Sequence, residues 1–211
     1  MNTNTTSVWR KKLKELEIVV VIPTYNNGKT LAAVIEEVYR YADDIIVIND
    51  GSTDDTANIL EQYPAIRTIT HPVNKGKGTA LKHGLSQAKK EGFRYAITID
   101  SDGQHFASDI PCFIEAIEKE PDTLLVGARN LASDNMPGKN TFANKFSNFW
   151  FRLETGLKLE DTQSGYRLYP LRKMDVQSCW YTAKYEFELE AIVFAAWGDV
   201  VVKNIPIHVY Y

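Results

Sequence analysis

Five short apolar runs, rich in β-branched residues, alternate with helical patterns between residues 18 and 127. Their length and their Val and Ile content are typical of strands that are buried on both faces. The predicted strands span 18–22, 45–48, 66–70, 95–99 and 124–127. The helical spacing of apolar residues between them predicts helices over 31–41, 54–62, 79–90 and 110–119. This alternation with short links predicts an α/β fold with a mainly parallel central sheet and helices on both faces.

The pattern changes after the fifth strand. A polar stretch over 128–141 predicts a long loop, and long loops in compact domains are often functional. Beyond it we predict an aromatic-rich helix over 142–154, an irregular segment over 160–170, a helix over 185–197 and a β-like run over 200–211. Near the start, Trp9, Leu13 and Leu16 share one face of a short helix over 8–16, which either packs on the domain or lies on a membrane surface.

The composition fits one cytoplasmic domain. The 211 residues are 44% hydrophobic and 24% charged, which is enough for one sizeable core. A net charge of −3 gives no basic field, so no nucleic-acid partner is expected. No apolar run is long enough to span a membrane, and the polar start lacks the features of a secretory signal. Cys112 and Cys179 lack zinc-site spacing and are expected to be reduced. The apolar end at 209–211 suggests that the natural chain continues.

Two carboxylates, Asp100 and Asp102, directly follow the predicted strand 95–99, and Gln104 comes two residues later. A buried strand that ends in acid is costly unless something uses the charge. Carboxylate and amide oxygens suit Mg²⁺ or Mn²⁺, and these ions usually also bind oxygens of a substrate phosphate. The alternative is a solvated Asp/Gly turn after a strand. These residues alone leave both interpretations open.

Loops at the carboxyl ends of the first four strands are rich in residues that bind rather than pack. These loops are 23–28, 50–53, 71–78 and 100–105. Ligands of open α/β sheets bind at this edge, so the convergence of four such loops favours a ligand site and the metal interpretation. Two nucleotide motifs are excluded: Pro23 stands where a P-loop ending in Gly28-Lys29-Thr30 needs glycine, and the first loop lacks GxGxxG.

Four motifs occur in order: Val-Val-Val-Ile-Pro-Thr-Tyr-Asn at 19–26, Val-Ile-Asn-Asp-Gly-Ser-Thr-Asp-Asp-Thr at 47–56, Asn-Lys-Gly-Lys-Gly at 74–78 and Asp-Ser-Asp-Gly-Gln-His at 100–105. Together they resemble the family 2 glycosyltransferases, over about residues 18–130. The last motif and Asp-Thr-Gln-Ser-Gly-Tyr-Arg-Leu-Tyr at 161–169 resemble, more narrowly, the dolichyl- and polyprenyl-phosphate hexose synthases, which use GDP-mannose or UDP-glucose.

The resemblance implies the GT-A fold and a division of the chain. A tail and short helix over 1–17 would precede one catalytic domain over 18–211. Within that domain, 18–105 would bind the nucleotide and 106–211 would bind the acceptor.

The resemblance also implies which residues bind the nucleotide sugar: Pro23, Thr24, Tyr25, Asp50, Gly51, Lys77, Asp100, Ser101 and Gln163. A second, overlapping group would hold the metal: Asp100, Asp102 and Gln104. Pro23 and Tyr25 would line the pocket for base and ribose, Asp50 would accept a hydrogen bond from the base, and Lys77 would lie by the nucleotide. Without the resemblance, Asp50 is a helix-capping acid in a turn and Lys77 is a solvated loop lysine. His105 would be a metal ligand or would support one.

The implied catalytic residues are Asp161, Asp102, Arg129 and Arg167. Arg129 and Arg167 match arginines that face phosphate in relatives, and a guanidinium is well shaped for that contact. Lys139 or Lys145 could supply another basic group. Asp161 is the candidate base if the acceptor is a hydroxyl. If the acceptor is an anionic phosphate, Asp161 would instead orient the loop from Gln163 to Arg167.

The predicted reaction is a metal-dependent, inverting transfer of a hexose from a nucleotide-diphosphate sugar. Mg²⁺ or Mn²⁺ would neutralise charge on the leaving diphosphate. Polyprenyl phosphate is the favoured acceptor, and a saccharide hydroxyl in cell-surface polysaccharide synthesis is the alternative. A lipid acceptor would require peripheral membrane contact at the inner face, through 8–16, 128–141 or a missing tail. Two other classes are a non-catalytic nucleotide-sugar-binding domain and a nucleotidyltransferase, although the chain lacks the Gly-rich, Arg-containing loop of the latter.

Overall fold

The computed structural model describes residues 3–129, 149, 151–174 and 186–210, and every structural statement below concerns these residues. Within them, seven strands form one sheet in the spatial order β3-β2-β1-β4-β6-β5-β7. The strands are β1 (Ile18–Thr24), β2 (Ile45–Asn49), β3 (Arg67–Thr70), β4 (Tyr95–Thr98), β5 (Leu124–Arg129), β6 (Arg167–Pro170) and β7 (Val202–Ile207). All neighbouring strands are parallel except β6, which is antiparallel to β4 and to β5. The predicted mainly parallel α/β sheet is confirmed.

Helices cover both faces of this sheet. They are α1 (Thr3–Glu15), α2 (Leu31–Tyr39), α3 (Thr56–Glu61), α4 (Lys77–Lys90), α5 (Ile110–Lys119), which a short 3₁₀ turn over Ala107–Asp109 precedes, and α6 (Glu186–Trp197). One core cluster packs α1, α2, α3 and α5 on one face, and a second packs α4 and α6 on the other. Strand β1 serves both, because Ile18, Val20 and Ile22 point to the first cluster and Val19 and Val21 to the second. This alternation explains its unbroken apolar sequence.

The N-terminal helix packs on the domain, as one of the two interpretations predicted. Leu13 is buried in the first core cluster, and Trp9 and Leu16 pack against that cluster while partly exposed. No described helix has both the length and the apolar content needed to cross a bilayer.

Three sequence predictions about local structure were wrong. The segment 160–170 is not irregular throughout, because Arg167–Pro170 forms β6, buried along its whole length between β4 and β5. Lys77 and Gly78 belong to the first turn of α4 and not to the preceding loop. Residues 128–129 end β5 and do not begin a loop.

Some predictions fall on residues that the structure does not describe. Residues 149 and 151–154 are helical, as predicted, but the rest of the predicted helix 142–154 lies outside the described residues. So do the predicted loop over 130–141, with Lys139, and also Lys145, Cys179 and Tyr185.

Helix α4 lies close on the sheet because it presents glycine to it. A Cβ atom added to Gly84 would lie 2.5 Å from Val21 Cγ1 and 3.2 Å from Ile48 Cδ1. Both neighbours are fully buried branched side chains in adjacent strands, so they have little room to move.

We predict that Gly84→Ala lowers the free energy of unfolding by about 1–3 kcal/mol, because overpacking outweighs the better helix propensity of alanine. Urea unfolding followed by circular dichroism measures the change. The matched control, Ser86→Ala on the same helix, should stay within about 0.5 kcal/mol of the unsubstituted chain. An unchanged or higher stability of Gly84→Ala would contradict the close packing described above.

The segment after β7 is fastened to the loop that follows β4. His105 and Val209 form an isolated antiparallel bridge, and the Tyr210 amide donates to the Gln104 carbonyl at 2.9 Å. Asp109 stands at the N-cap of α5, but its carboxylate makes no capping hydrogen bond. It accepts instead from the His208 amide at 2.7 Å and pairs with His208 Nδ1 at 2.8 Å.

The hydrogen bond and the charge of Asp109 raise the pKa of His208 above its ordinary value of 6.5. Since the folded pKa is the higher one, the pair stabilises the fold below the unfolded pKa, and this contribution is lost as pH rises through the folded pKa. We therefore expect His208→Gln to destabilise the chain more at about pH 5.5 than at about pH 9. Urea midpoints at the two pH values test this, and an equal loss at both would contradict it.

Candidate active site

A cavity of about 500 Å³ opens where the carboxyl ends of β1, β2 and β4 meet the loop that follows β3. All four polar loops predicted at this edge contribute lining residues, and α4 adds Ala80: Pro23, Thr24, Tyr25, Asn27, Asp50, Asn74, Gly76, Lys77, Ala80, Asp100, Ser101 and Asp102. The predicted convergence of these loops is confirmed. A cavity of this size and position is typical of a small-molecule site in an α/β sheet.

The first loop is bonded to its neighbours by short side chains. Asn26, held at a φ of 53°, accepts from the Thr53 amide at 2.8 Å, and its own amide donates to the Ser52 hydroxyl at 3.0 Å. Ser101, predicted to bind substrate, is buried and donates to the Pro23 carbonyl at 3.0 Å while accepting from Asn27 Nδ2 at 2.8 Å. The Ser101 hydroxyl therefore connects two loops under the cavity.

Thr24, the last residue of β1, and Tyr25, in the loop that follows, both line the cavity. The Thr24 hydroxyl is buried and has no hydrogen-bond partner within the described residues. A buried hydroxyl without a partner is costly, and a ligand in the cavity could supply one. Tyr25 is 45% exposed, so its ring is accessible to a flat ligand.

Asp50 holds the loop over 71–76. Its carboxylate pairs with His71 Nδ1 at 2.6 Å and accepts from the amides of Lys75 and Gly76 at 2.9 and 2.8 Å. His71 is buried and reaches His83 Nδ1 at 2.8 Å through its other nitrogen. Both carboxylate oxygens of Asp50 thus already accept hydrogen bonds from this loop. Sequence reasoning missed His71, because its only signal was its place in a polar loop.

Gly51 allows the close crossing of this loop. A Cβ atom there would lie 2.4 Å from the carbonyl carbon of Val73, and the residue has a φ of 71°. Both the left-handed backbone and the close approach require glycine.

Lys77 lies between two carboxylates at the start of α4. Its Nζ is 2.7 and 2.9 Å from the two oxygens of Asp100 and 2.9 Å from Glu188 Oε1. Burial lowers the pKa of Lys77, but the charges of Asp100 and Glu188 outweigh burial and raise it above its ordinary value. Burial raises the pKa of Asp100, but the charge of Lys77 and its hydrogen bond outweigh burial and lower the pKa. Lys77 and Asp100 therefore both favour their charged forms.

Glu188 is a functional candidate that sequence reasoning missed. It lies on α6 among the buried apolar residues Phe187, Ala191 and Ile192. An acid in the inward face of an apolar helix was the available signal, because a buried carboxylate requires a partner.

Of the other potential metal ligands, Asp102 and Gln104 are exposed and His105 is buried. Asp102 is exposed, and its Oδ1 accepts from the Gln104 amide at 2.9 Å. The Gln104 side chain is exposed as well. His105 is buried, and its Nδ1 has no hydrogen-bond partner among the described residues. Burial lowers the pKa of His105, against the charges of Asp100 and Asp102, so the ring tends to be neutral. In the described part of the chain, no group of three or more His, Cys, Asp or Glu side chains is arranged to hold a metal ion.

Arg129 and Asp161 form a bidentate pair beyond this loop. Arg129 Nε donates to Asp161 Oδ2 at 2.6 Å, and Arg129 Nη2 donates to Asp161 Oδ1 at 3.0 Å. The Gln163 amide donates to the same Oδ1 at 2.9 Å, and the Gln163 side chain is exposed. Asp161 is fully buried; burial raises its pKa, but the hydrogen bonds and charge of Arg129 outweigh burial and lower it.

Arg167 differs in placement from the phosphate-facing residue that the resemblance implied. It is fully buried at the start of β6, and its guanidinium donates to backbone carbonyls of Ser164, Thr162 and Glu188. Its donors therefore hold the segment before β6 against the start of α6. The structure brings Asp100, Asp102 and Lys77 to one cavity, and Arg167 is not among the described residues that line it.

The chain matches the family model described as Glycosyl transferase family 2 over residues 19–176. It is 30% identical over 215 residues to the UDP-N-acetylglucosamine–dolichyl-phosphate N-acetylglucosaminyltransferase of Methanococcus voltae, covering 92% of this chain and 86% of that protein. It is 26% identical over 202 residues to the polyprenol monophosphomannose synthase of Mycolicibacterium smegmatis, covering 90% of this chain and 76% of that protein.

Solved structures show the same fold. The UDP complex of glucosyl-3-phosphoglycerate synthase from Mycobacterium tuberculosis has a TM-score of 0.72 and 20% sequence identity, covering 98% of this chain and 76% of that one. The sheet, with its cavity at the carboxyl ends of the strands, is thus the GT-A fold of nucleotide-sugar transferases. The chain belongs to glycosyl transferase family 2. It is a glycosyltransferase, and its resemblance to polyprenyl-phosphate sugar transferases is confirmed.

Gly165 makes room for the charged cluster around Lys77. A Cβ atom on Gly165 would lie 2.5 Å from Asp100 Oδ2, 2.8 Å from Lys77 Nζ and 2.9 Å from Glu188 Oε1. These atoms are the ends of side chains, so a substitution can displace them without moving the backbone.

We predict that Gly165→Ala folds but displaces Lys77 from the carboxylates of Asp100 and Glu188. Nucleotide affinity should fall about tenfold, because this is the scale of one disturbed charge-assisted contact. Calorimetric titration with UDP and GDP in the presence of Mn²⁺ measures affinity, and thermal melting checks the fold. Normal affinity in a folded Gly165→Ala variant would show that the cluster tolerates displacement.

Proposed function

We propose that this glycosyltransferase moves a hexose from a nucleotide-diphosphate sugar to a polyprenyl phosphate, with inversion at the sugar carbon and with a divalent cation at the loop after β4. The observation that carries the proposal is the cavity at the carboxyl ends of the strands, which Asp100 and Asp102 line beside the buried, unpartnered hydroxyl of Thr24. The names of the relatives from M. voltae and M. smegmatis, which specify dolichyl phosphate and polyprenol, support this class of acceptor.

The donor atoms of the loop fit Mg²⁺ or Mn²⁺. Asp102, Asp100 and Gln104 would hold the ion, and oxygens of the donor diphosphate with water would complete a coordination shell that the protein leaves incomplete. When bound, the ion would stabilise the charge that develops on the leaving diphosphate. Solved structures of the M. tuberculosis synthase contain Mn²⁺ with UDP or with UDP-glucose, which supports this class of ion.

The nucleotide would occupy the cavity between the loops after β1 and β3. We assign the base and ribose to the region of Pro23, Thr24 and Tyr25, where the Thr24 hydroxyl would gain its missing partner. Asp50, with Gly51 beside it, would contribute mainly by holding the loop over 71–76 at the cavity wall, since both of its oxygens already accept hydrogen bonds.

The acceptor phosphate would meet Arg129. Asp161 engages both ends of the Arg129 guanidinium fork and carries a lowered pKa, so it suits orientation of Arg129 better than removal of a proton. A phosphate acceptor is already anionic and requires no base, whereas a hydroxyl acceptor would require one. We therefore favour the phosphate, with Gln163 at the exposed edge of the site and Arg167 as a positioning residue below it. Such an enzyme would act in the cytoplasm, in peripheral contact with the inner face of the membrane.

A donor and acceptor panel tests the proposal. The full chain is incubated with Mn²⁺ and a set of UDP- and GDP-hexoses, with and without a short polyprenyl phosphate, and release of nucleoside diphosphate is followed. We expect release that depends on both Mn²⁺ and the lipid phosphate. Release that instead requires a saccharide would replace the acceptor assignment, and metal-independent or absent nucleotide binding would overturn the proposal.

Asp102→Asn is the matched test of the metal assignment. Because Asp102 is exposed and makes one described hydrogen bond, its loss should change stability by less than about 0.5 kcal/mol. Turnover should fall by about 100-fold or more, because charge stabilisation of the leaving group is lost. Asp43→Asn, at an exposed position before β2 and thus at the opposite edge of the sheet, is the control and should keep full activity.

A further inference from the structure

The ammonium group of Lys77 contacts the Asp100 carboxylate, which a divalent metal ion at this loop would also bind. It contacts both oxygens of Asp100, at 2.7 and 2.9 Å. Asp100 lines the cavity with Asp102, which in contrast is exposed. A divalent ion that binds through Asp100 must compete with a cation that is already in contact with that carboxylate.

Glu188 offers Lys77 a second anchor. Its Oε1 lies 2.9 Å from Nζ, and its side chain is 7% exposed, so it is shielded from bulk water. Lys77 is in the first turn of α4, and Glu188 approaches from α6 on the same face of the sheet. Gly165 leaves room for this contact, because it has no side chain where the three charged groups meet.

Arg167 adds a second positive charge near this cluster. One ammonium faces two carboxylates in a site of low exposure, and the buried guanidinium of Arg167 also acts on Asp100. Backbone carbonyls hold Arg167, so Lys77 is the cation that contacts the carboxylates directly. Release of Asp100 to a divalent ion therefore requires that Lys77 keep a carboxylate partner, which Glu188 supplies.

We propose that Lys77 is an internal placeholder for the divalent cation at Asp100, and that Glu188 is the positioning residue that retains the ammonium group when the cation binds. On binding of metal and donor, Lys77 leaves Asp100, stays with Glu188 and becomes available to the donor diphosphate. This inference rests on the proposed function, because it requires metal and nucleotide to share the cavity.

The exchange makes binding of metal and of nucleotide mutually dependent. A metal ion that binds alone displaces Lys77 from Asp100 but supplies no new anion for the ammonium group, which keeps its contact with Glu188. Nucleotide supplies that anion, so it should tighten metal binding, and metal should tighten nucleotide binding by the same factor. Lys77 would then suppress metal binding to the empty site.

Binding of Mn²⁺ to the full chain, measured by the electron paramagnetic resonance signal of the free ion with and without UDP or GDP, tests the exchange. We expect Lys77→Met to bind Mn²⁺ alone about tenfold more tightly than the unsubstituted chain, because the competing cation is gone. The factor by which nucleotide tightens Mn²⁺ binding should shrink by a similar amount. Lys75→Met, which removes an exposed lysine from the same loop, is the control for general charge and should shift affinity less than about twofold.

Glu188→Gln tests the positioning role. Alone it should weaken Mn²⁺ binding about threefold or more, whereas in a Lys77→Met background it should have little effect, because its role acts through Lys77. Additive effects of the two substitutions would overturn that role. Thermal melting checks the fold. If Lys77→Met alone is unstable, the double variant Lys77→Met/Glu188→Gln is used for the Mn²⁺ titration. In that variant the neutral amide of the new glutamine replaces the Glu188 carboxylate, which would otherwise lack Lys77 as its partner.

The outcomes separate this inference from the proposed function. Nucleotide-dependent Mn²⁺ binding that Lys77→Met leaves unchanged, or weakens, would overturn the exchange while the proposed function stands. Absence of Mn²⁺ binding to the unsubstituted chain even with UDP or GDP would overturn both.

Discussion

The contact of Lys77 with Asp100 and Glu188 is the interaction on which the architecture of this site depends. It joins the first turn of α4, the end of β4 and the start of α6, three elements that are distant in sequence. Two acids this close would repel each other without the ammonium group, and burial makes such repulsion expensive. The ammonium group of Lys77 therefore allows the charged Asp100 to lie at the carboxyl end of the sheet, where a nucleotide-sugar transferase uses acidic side chains.

The other buried acids of this edge are used to hold the chain. Asp50 fixes the loop over 71–76, Asp161 fixes Arg129, and Asp109 fixes the segment after β7 through His208. Each is buried and accepts hydrogen bonds that hold a neighbouring segment in place. Asp102 is the contrasting case, because it is exposed at the cavity. Acids that the sequence presents as equivalent thus divide into those that build the site and one that is open to a ligand.

Sequence patterns predicted the parallel part of the fold because each buried strand carries a continuous apolar run, and the loops at their ends carry the polar residues. They did not predict β6, because its strand character comes from neighbours: Arg167, Leu168 and Tyr169 pair with β4 and β5 in an antiparallel register that no local periodicity encodes. The same reason hid Glu188 and the buried role of Arg167. Motif matching located the right segments, but only tertiary contacts show which side chains point to the cavity and which point beneath it.

The pair formed by Arg129 and Asp161 bears on how acceptor chemistry is divided between residues. A carboxylate that accepts a guanidinium fork is stabilised in its charged form, and a group stabilised in this way is a weak proton acceptor. The arginine, in turn, is held in one orientation, which lowers the entropy lost when it meets a phosphate. A single salt bridge can thus disfavour a neutral hydroxyl acceptor and favour an anionic one without any direct contact between Asp161 and the acceptor. If the acceptor is a phosphate, as proposed, the pairing of Asp161 with Arg129 would favour it over a neutral hydroxyl.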